Sequence, residues 1–467
     1  MKRLLKLLRQ NWLYFSIVTL AALGLRLFFV WRFPHLSGDS FIYGDIAKHW
    51  LNDAMYAVTD NGLPRPTLIR LPGYPAFLAV IFKIFGMEHY RAVMIVQAFI
   101  DTNTCLVIAA LALELMNERA AKAAYLLAAI CPFTANYVAA PLSETLAIFC
   151  TAHCLYYGVR GLKTLNAGEP AGRLWCIAGG WAGAGLLIRP DDGIIVAAFG
   201  LALISLLFGS IGKQRVLAAG LLFSLFSLAP LLPWTIRNWR TFHLVQPLAP
   251  RYANDPGEFV PSGFNHWVRT WIVDYVSVEE IYWHVPGEDI SINDLPERAF
   301  DSRLAYDRTA EVFDEYSQQL SVDADLDHEF ENLALRRMSH NPFRYYVWLP
   351  SLRMADMWLR PRTEMLPVDS RWWEFSNHRG QSLFALIWAG INLGFLLLAW
   401  RGWSHGKFGT AGIALVSFLL LRTLFLSTLE NPEPRYTLEC FPVVLALAGA
   451  AFIRTGNGVK QASNQLS

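Results

Sequence analysis

The chain has 467 residues, of which 54% are hydrophobic, 14% aromatic and 17% charged. That balance excludes an ordinary soluble multidomain protein and fits an α-helical polytopic membrane protein. The net charge of +2, without a long basic run, excludes nucleic acid as a partner.

Lys2, Arg3, Lys6 and Arg9 precede a long apolar segment that has no small-residue cleavage site, so the N-terminus reads as a retained anchor. Apolar stretches at 11–33, 91–115, 123–139, 142–160, 174–189, 193–209, 216–236, 382–400, 409–428 and 437–453 are candidate spans. Several fall short of the roughly 20 residues that cross a hydrocarbon core. The run from Pro75 to Gly86 is shorter again and suits an interfacial or re-entrant helix.

With both termini cytoplasmic, ten spans put Arg119, Lys122, Arg160, Lys163, Arg173, Lys213, Arg215, Arg401, Lys407, Arg454 and Lys460 in inner loops, as the positive-inside rule requires. A full crossing by 75–86 would reverse that pattern. Residues 1–240 then form a transmembrane core with a first outer loop at 34–90, and 382–467 supply the last spans. The loop between them, 241–381, is exported. Over 241–380 it holds 23 Asp and Glu, 13 Arg and no Lys. Its composition predicts helix from about 296 to 340 and a juxtamembrane helix near 341–360.

In this topology the unusual polar residues collect at the outer side. Asp39, Tyr43, Asp45, Arg70 and Tyr74 lie in the first outer loop. Ser143 and Glu144 open one span, Arg189, Asp191 and Asp192 close the next, Arg237 closes the seventh, and Glu433, Arg435 and Tyr436 link the last two. Arginines on the side that positive-inside statistics disfavour suit an anion, and a guanidinium binds phosphate through paired charge-assisted hydrogen bonds. Arg70, Arg189, Arg237 and Arg435 are therefore candidate donor-phosphate ligands.

Plainer readings stand beside these. A single arginine can snorkel or pair with an acid. Ser143 and Glu144 suit a helix start, and Asp101 and Asn103 suit polar contacts between helices. Asp191 and Asp192 read as a solvated turn after Pro190. Trp372 and Trp373 suit the membrane interface. His49 and His153 show no partner spacing. Asp45 shares a helix face with Lys48 or His49 and is the more structural of the two early acids. The cysteines have no zinc spacing.

Taken in order, Gly38-Asp39 with Tyr43, Ala47 and Leu51, then Arg70-Leu71-Pro72-Gly73-Tyr74-Pro75, Leu142-Ser143-Glu144, Ile188-Arg189-Pro190, Leu232-Pro233-Trp234 with Ile236-Arg237-Asn238, and Glu433 with Arg435-Tyr436 resemble membrane glycosyltransferases of the GT-C fold. The resemblance is to the branch that uses polyprenyl-phosphate sugars, near the protein O-mannosyltransferases and the lipid A aminoarabinose transferase. It implies a GT-C-like bundle of about ten helices, and a single sugar moved from a polyprenyl-phosphate donor to an acceptor hydroxyl on a glycan, lipid or protein. It further implies Asp39 as general base, Arg70, Arg189, Arg237, Arg435 and Tyr436 at the donor, and Tyr43, Asp45, Tyr74, Glu144 and Glu433 in support. A bacterial inner membrane with the active site outside follows from the same resemblance. No cofactor is implied, and a divalent metal is compatible with the sequence but not called for by it.

Two departures narrow the resemblance. Ser40 follows Asp39 where the mannosyltransferases commonly carry a second acid, and the Trp-Trp-Asp motif of oligosaccharyltransferases is absent. A lipid-linked sugar transporter would place ionisable residues near the bilayer midplane, often in repeated halves, and neither pattern is present. A polymerase or ligase using a lipid-diphosphate donor shares the outward site and remains the nearest alternative.

Overall fold

The computed structural model describes residues 2–209 and 211–453. Arg454 and Lys460 lie outside the described residues. The chain divides into two units: 1–248 with 393–418 and 439–467, and 249–392 with 419–438.

The first unit opens with α1 (Lys2–Gln10), α2 (Trp12–Arg32) and α3 (Gly38–Asn52), followed by strands β1 (Ala57–Asp60) and β2 (Leu63–Pro66). It continues with α4 (Gly73–Phe85), α5 (Tyr90–Leu115), α6 (Glu118–Ile130), α7 (Pro132–Tyr137), α8 (Glu144–Asn166), α9 (Gly172–Leu186), α10 (Ile194–Leu207), α11 (Lys213–Leu228) and α12 (Leu231–Phe242). The second unit contributes α13 (Ser262–Arg269), α14 (Tyr275–Glu280), α15 (Arg303–Gln319), α16 (Ala324–His340) and α17 (Leu349–Leu359). The helices α18 (Arg379–His405) and α19 (Gly409–Leu426) each belong partly to both units, and α20 (Phe441–Ala450) completes the first.

The protein is a multi-pass integral membrane protein. Among the described residues, five helical segments are long and apolar enough to cross a membrane: α2, α5, 190–207, α18 and α19. The pair α11 and α12, bent by 43°, makes a sixth. Length and composition therefore do not reach the expected ten spans. The expected span at 123–139 is broken where Cys131 meets Pro132, because proline offers no amide hydrogen to continue α6. α8 has 23 residues but carries Glu144, His153, Arg160 and Lys163. α4, at 13 residues, is about 20 Å long and is too short to cross.

Small residues let the first unit's helices approach closely. A Cβ on Gly449 of α20 would lie 2.6 Å from Ala120 O and Ala124 Cβ of α6, and one on Gly179 of α9 would lie 2.6 Å from Phe223 O of α11. One ion pair is sealed inside this packing. Arg26 Nε of α2 donates to Asp101 Oδ2 of α5 at 2.8 Å, and the other guanidinium nitrogens reach carbonyls of Ala22, Ala128 and Ala129. Asp101 is thus the interhelical contact the sequence suggested, whereas Asn103 is exposed.

The second unit has its own aromatic core around Trp267, Trp271, Phe313 and Phe330. Asp327 of α16 accepts the first amide hydrogens of α13, Gly263 N at 3.0 Å and Phe264 N at 2.9 Å. The helix expected over 296–340 is two helices, separated at Leu320, whose φ of 51° turns the chain. The expected juxtamembrane segment is a wide π-type turn, Arg344–Trp348, continued by α17.

Candidate functional site

The stretch after α2 forms α3 because Ser37 and Ser40 close its first turn. The Ser37 amide donates to Ser40 Oγ at 3.2 Å. Ser40, the residue after Asp39, is fully buried as part of this cap. Asp39 therefore falls in the first turn of α3, where exposed amide hydrogens favour a negative charge. Its carboxylate meets Arg70, with Nη2 to Oδ1 at 2.7 Å, and the two side chains stay 30% and 20% exposed. This pair is accessible, unlike Arg26 and Asp101.

Tyr43 lies one turn further along α3. Arg70 stands over its ring at 5.8 Å, and the ring meets Tyr74 edge-on at 4.9 Å. Burial pushes the Tyr43 phenol up; Arg70 and Arg189 pull it down, while Asp39 and Glu144 push it up. Tyr43 is thus within electrostatic reach of both arginines and both acids. Burial pulls the Arg70 guanidinium down, but Tyr43 and Asp39 more than offset this, so its proton is held above the ordinary value. Tyr74 is buried and donates to Gln97 Oε1 at 2.7 Å; Gln97 in turn donates to the carbonyls of Val138 and Ala140. It fastens the start of α4 to α5.

Asp45 braces the hairpin. Its Oδ2 accepts the Thr59 amide hydrogen at 2.6 Å and its Oδ1 accepts the Thr59 hydroxyl at 2.9 Å. His49, without a partner in the sequence reading, bonds Asp53 at 2.6 Å and Thr59 at 2.9 Å. The hairpin itself turns at Asn61 and Gly62, with φ of 49° and 81°, the positive pair that two-residue hairpins favour.

Glu144 and Arg189 meet at 3.0 Å, and Arg189 also reaches Glu439 at 3.0 Å and Asp191 at 3.3 Å. One guanidinium therefore ties the first turn of α8, the turn before α10 and the residues preceding α20. Ser143 makes no side-chain cap, so Glu144 is held by the ion pair as well as by its helix-end position. Asp192 is buried and packs against Gly185, at which a Cβ would come within 2.6 Å of its Oδ2. This overturns the solvated turn expected there, because the tight turn after Pro190 points the side chain back at α9. His153 stacks on Trp181 with ring centroids 4.3 Å apart.

Arg237 of α12 donates to Thr67 O at 2.7 Å and Tyr56 O at 2.6 Å, the carbonyls flanking the two strands. The Tyr56 hydroxyl donates to Arg70 O at 2.9 Å. Arg237 thus clamps the base of the hairpin and, through Tyr56, supports the segment carrying Arg70. Beside it is an apolar cavity of about 660 Å³, lined by Trp50, Met55, Tyr56, Pro72, Trp234 and Arg237 among others. One backbone contact joins the two motif loops. Gly73 N donates to Leu187 O at 2.7 Å, and a Cβ on Gly73 would lie 2.6 Å from that oxygen.

Glu433, Arg435 and Tyr436 belong to the second unit. Glu433 gathers the others: Arg435 Nε at 2.6 Å, the Tyr436 hydroxyl at 2.6 Å and Asn431 Nδ2 at 3.2 Å. Arg251, from the long loop, pairs with Glu430 at 2.6 Å. Among the described residues no group of three His, Cys, Asp or Glu is placed to hold a metal ion.

The first unit thus pairs Asp39 with Arg70, whose guanidinium stands over the Tyr43 ring, and pairs Glu144 with Arg189. A family model described as dolichyl-phosphate-mannose-protein mannosyltransferase matches residues 65–234, which include Arg70, Tyr74, Glu144 and Arg189. The archaeal oligosaccharyltransferase AglB from Archaeoglobus fulgidus, in complex with an inhibitory peptide and a dolichol-phosphate, is similar over 94% of this chain and 50% of its own, at 12% identity and a TM-score of 0.51. The Archaeoglobus fulgidus oligosaccharyltransferase tethered to an acceptor peptide is similar over 95% and 49%, at 12% identity and a TM-score of 0.50. This chain has the GT-C fold. It spans about half the length of those oligosaccharyltransferases. ArnT from Cupriavidus metallidurans, bound to undecaprenyl phosphate, aligns with this GT-C chain over 93% and 76% at 13% identity and a TM-score of 0.37. No curated protein matches the chain by sequence.

The sequence reading did not identify Glu439, Tyr56 or the hairpin as parts of the site. Glu439 had no local signal, being 250 residues from Arg189 in the chain. The hairpin had one, in Asp60-Asn61-Gly62.

Proposed function

We propose that this GT-C chain is a membrane glycosyltransferase that moves one sugar from a polyprenyl-phosphate donor to an acceptor hydroxyl. The observation that carries the proposal is the Asp39 carboxylate, partly exposed on the first turn of α3 and held by Arg70 at 2.7 Å. The mannosyltransferase match over 65–234 supports the same reading.

A sugar phosphate is activated, because its leaving group departs as an anion and needs no acid to protonate an alkoxide. One carboxylate base then suffices. Asp39 accepts the proton of the acceptor hydroxyl, whose oxygen attacks the anomeric carbon as the bond to the phosphate oxygen breaks, with inversion. Arg70, next to the base and always cationic, offsets charge growing on the phosphate. Arg189 and Arg435 already have carboxylate partners, and Arg237 is bonded to carbonyls. Arg70 also has a carboxylate partner, but that partner is the proposed base and the pair is partly exposed, so the phosphate falls first to Arg70 and the other three have supporting work. The apolar cavity beside Arg237 has the volume of a ligand site and suits the hydrocarbon part of a lipid-borne substrate. The active site faces the extracytoplasmic side, with both termini in the cytoplasm, most simply of a bacterial inner membrane.

Purified protein supplied with radiolabelled polyprenyl monophosphate and diphosphate sugars tests this. Transfer from the monophosphate alone is expected. Transfer from the diphosphate alone would make the chain a polymerase or ligase. Labelled lipid moved between leaflets without a new glycosidic bond would make it a transporter.

A further inference from the structure

The cavity beside Arg237 shares a wall with the turn that carries Arg70. Pro72 and Gly73, the second and third residues after Arg70, line it, and so does Tyr56. Tyr56 holds that turn at both ends. Its carbonyl accepts the Thr67 amide hydrogen at 3.2 Å, and its hydroxyl donates to Arg70 O at 2.9 Å. Between those points the Ile69 amide donates to Thr67 Oγ1 at 3.2 Å, and Arg70 Nη1 turns back to Ile69 O at 3.2 Å. Burial pushes the Tyr56 phenol well up, so it stays protonated and remains a donor.

The ring of the same residue belongs to the cavity. Trp50 of α3 meets it edge-on at 5.3 Å and Trp234 of α12 meets it at 4.8 Å, and both of these also line the cavity. Tyr56 therefore has its ring in an apolar wall and its hydroxyl on the backbone of the arginine assigned to the phosphate. A donor whose phosphate sits at Arg70 begins its hydrocarbon tail beside this wall, because Pro72 and Gly73 belong to both the loop and the cavity. A tail packed against the three rings fixes Tyr56, and the hydroxyl then fixes the Arg70 backbone.

We infer that a polyprenyl tail in this cavity sets the position of Arg70 through Tyr56, so that the lipid part of the donor raises the rate of transfer and not only its affinity. The inference rests on the donor proposed above. Binding energy from a part of the substrate remote from the reacting atoms is used to orient groups at the reacting centre, and truncated substrates then lose kcat as well as affinity. Here the orienting link is a single hydrogen bond, worth up to about tenfold in rate.

The test supplies the full-length protein in detergent with monophosphate sugars bearing either a long polyprenyl tail or a geranyl tail. In the wild type the long tail should lower KM and raise kcat by about tenfold. Tyr56→Phe keeps the ring and removes only the hydroxyl, so the long tail should still lower KM while its advantage in kcat disappears. Trp50→Leu, at a partly exposed position in the wall, should reduce both advantages. A second readout needs no sugar: hydrogen exchange of the peptide 67–73 should slow when the long polyprenol binds the wild type and stay unchanged in Tyr56→Phe. A wild type that transfers sugar from neither donor would defeat the proposed function, and the exchange experiment alone would then decide the coupling. An equal kcat advantage in the wild type and Tyr56→Phe, or equal slowing of exchange in both, would overturn the coupling and leave the proposed function intact.

Discussion

Arg70 and Asp39 approach to 2.7 Å across 31 residues of chain, in a pair that remains partly open to solvent. The capped first turn of α3 supplies the acid, and the Tyr56 hydroxyl bonded to Arg70 O steadies the base of the arginine. An acid fixed on one side and a cation fixed on the other leave the carboxylate oriented, which is what proton transfer in a transition state needs.

If Asp39 is that base, Asp39→Asn keeps the hydrogen bond to Arg70 but removes the proton acceptor. Transfer should fall by about 10² to 10⁴, with no change in melting temperature. Retained transfer by folded Asp39→Asn protein would remove Asp39 from the mechanism. Arg70→Met should raise the KM for the donor as well as lower kcat.

Arg189 has a different burden. Its removal leaves Glu144, Glu439 and Asp191 without their shared cation in a largely buried place. Arg189→Met should cost about 3–5 kcal/mol of stability, read as a large fall in thermal stability in detergent. Arg189→Lys should recover part of it, since the charge returns without the fork that reaches several acids.

Arg26 and Asp101 form a sealed pair between α2 and α5. Arg26→Met alone strands a buried carboxylate and should destabilise by about 3–5 kcal/mol. The double variant Arg26→Met with Asp101→Leu should recover most of the loss, because neither charge then remains in the apolar interior. A double-mutant cycle on thermal stability measures the coupling.

In the second unit, Asp356 of α17 accepts the Tyr275 amide hydrogen at 3.1 Å. Burial pushes its carboxyl up to about 7; Arg360 and the Tyr275 hydrogen bond pull it down, and Asp274 pushes it up. The folded protein thus keeps a proton that the unfolded chain releases near its ordinary value of 3.8. The associated stability is full below that value and is lost as pH rises toward about 7. Melting temperature should fall over this window, and Asp356→Asn should flatten the slope.

The sequence made much of this molecule legible. Apolar runs located the long helices, and the ordered motifs led to Asp39, Arg70, Glu144 and Arg189, which the first unit joins as two ion pairs, Asp39 with Arg70 and Glu144 with Arg189. Charge alone could not say what each arginine bonds. Arg237 meets two backbone carbonyls, and a carbonyl has no signature in sequence. Glu439 reaches Arg189 from a distant segment through packing of α20, which no local pattern encodes. The apolar run at 123–139 did not show its own break at Pro132, because hydropathy records greasiness and not whether the backbone can continue. The Asn61-Gly62 turn was readable and marks a hairpin that composition alone conceals.

The bond from Gly73 N to Leu187 O has a mechanical meaning. The loop bearing Arg70 and the loop bearing Arg189 press backbone against backbone at that point, with no side chain between them to act as a cushion. The two loops are therefore geared at this joint: a shift in one must carry the other with it, because a close-packed interior has no void to absorb the difference.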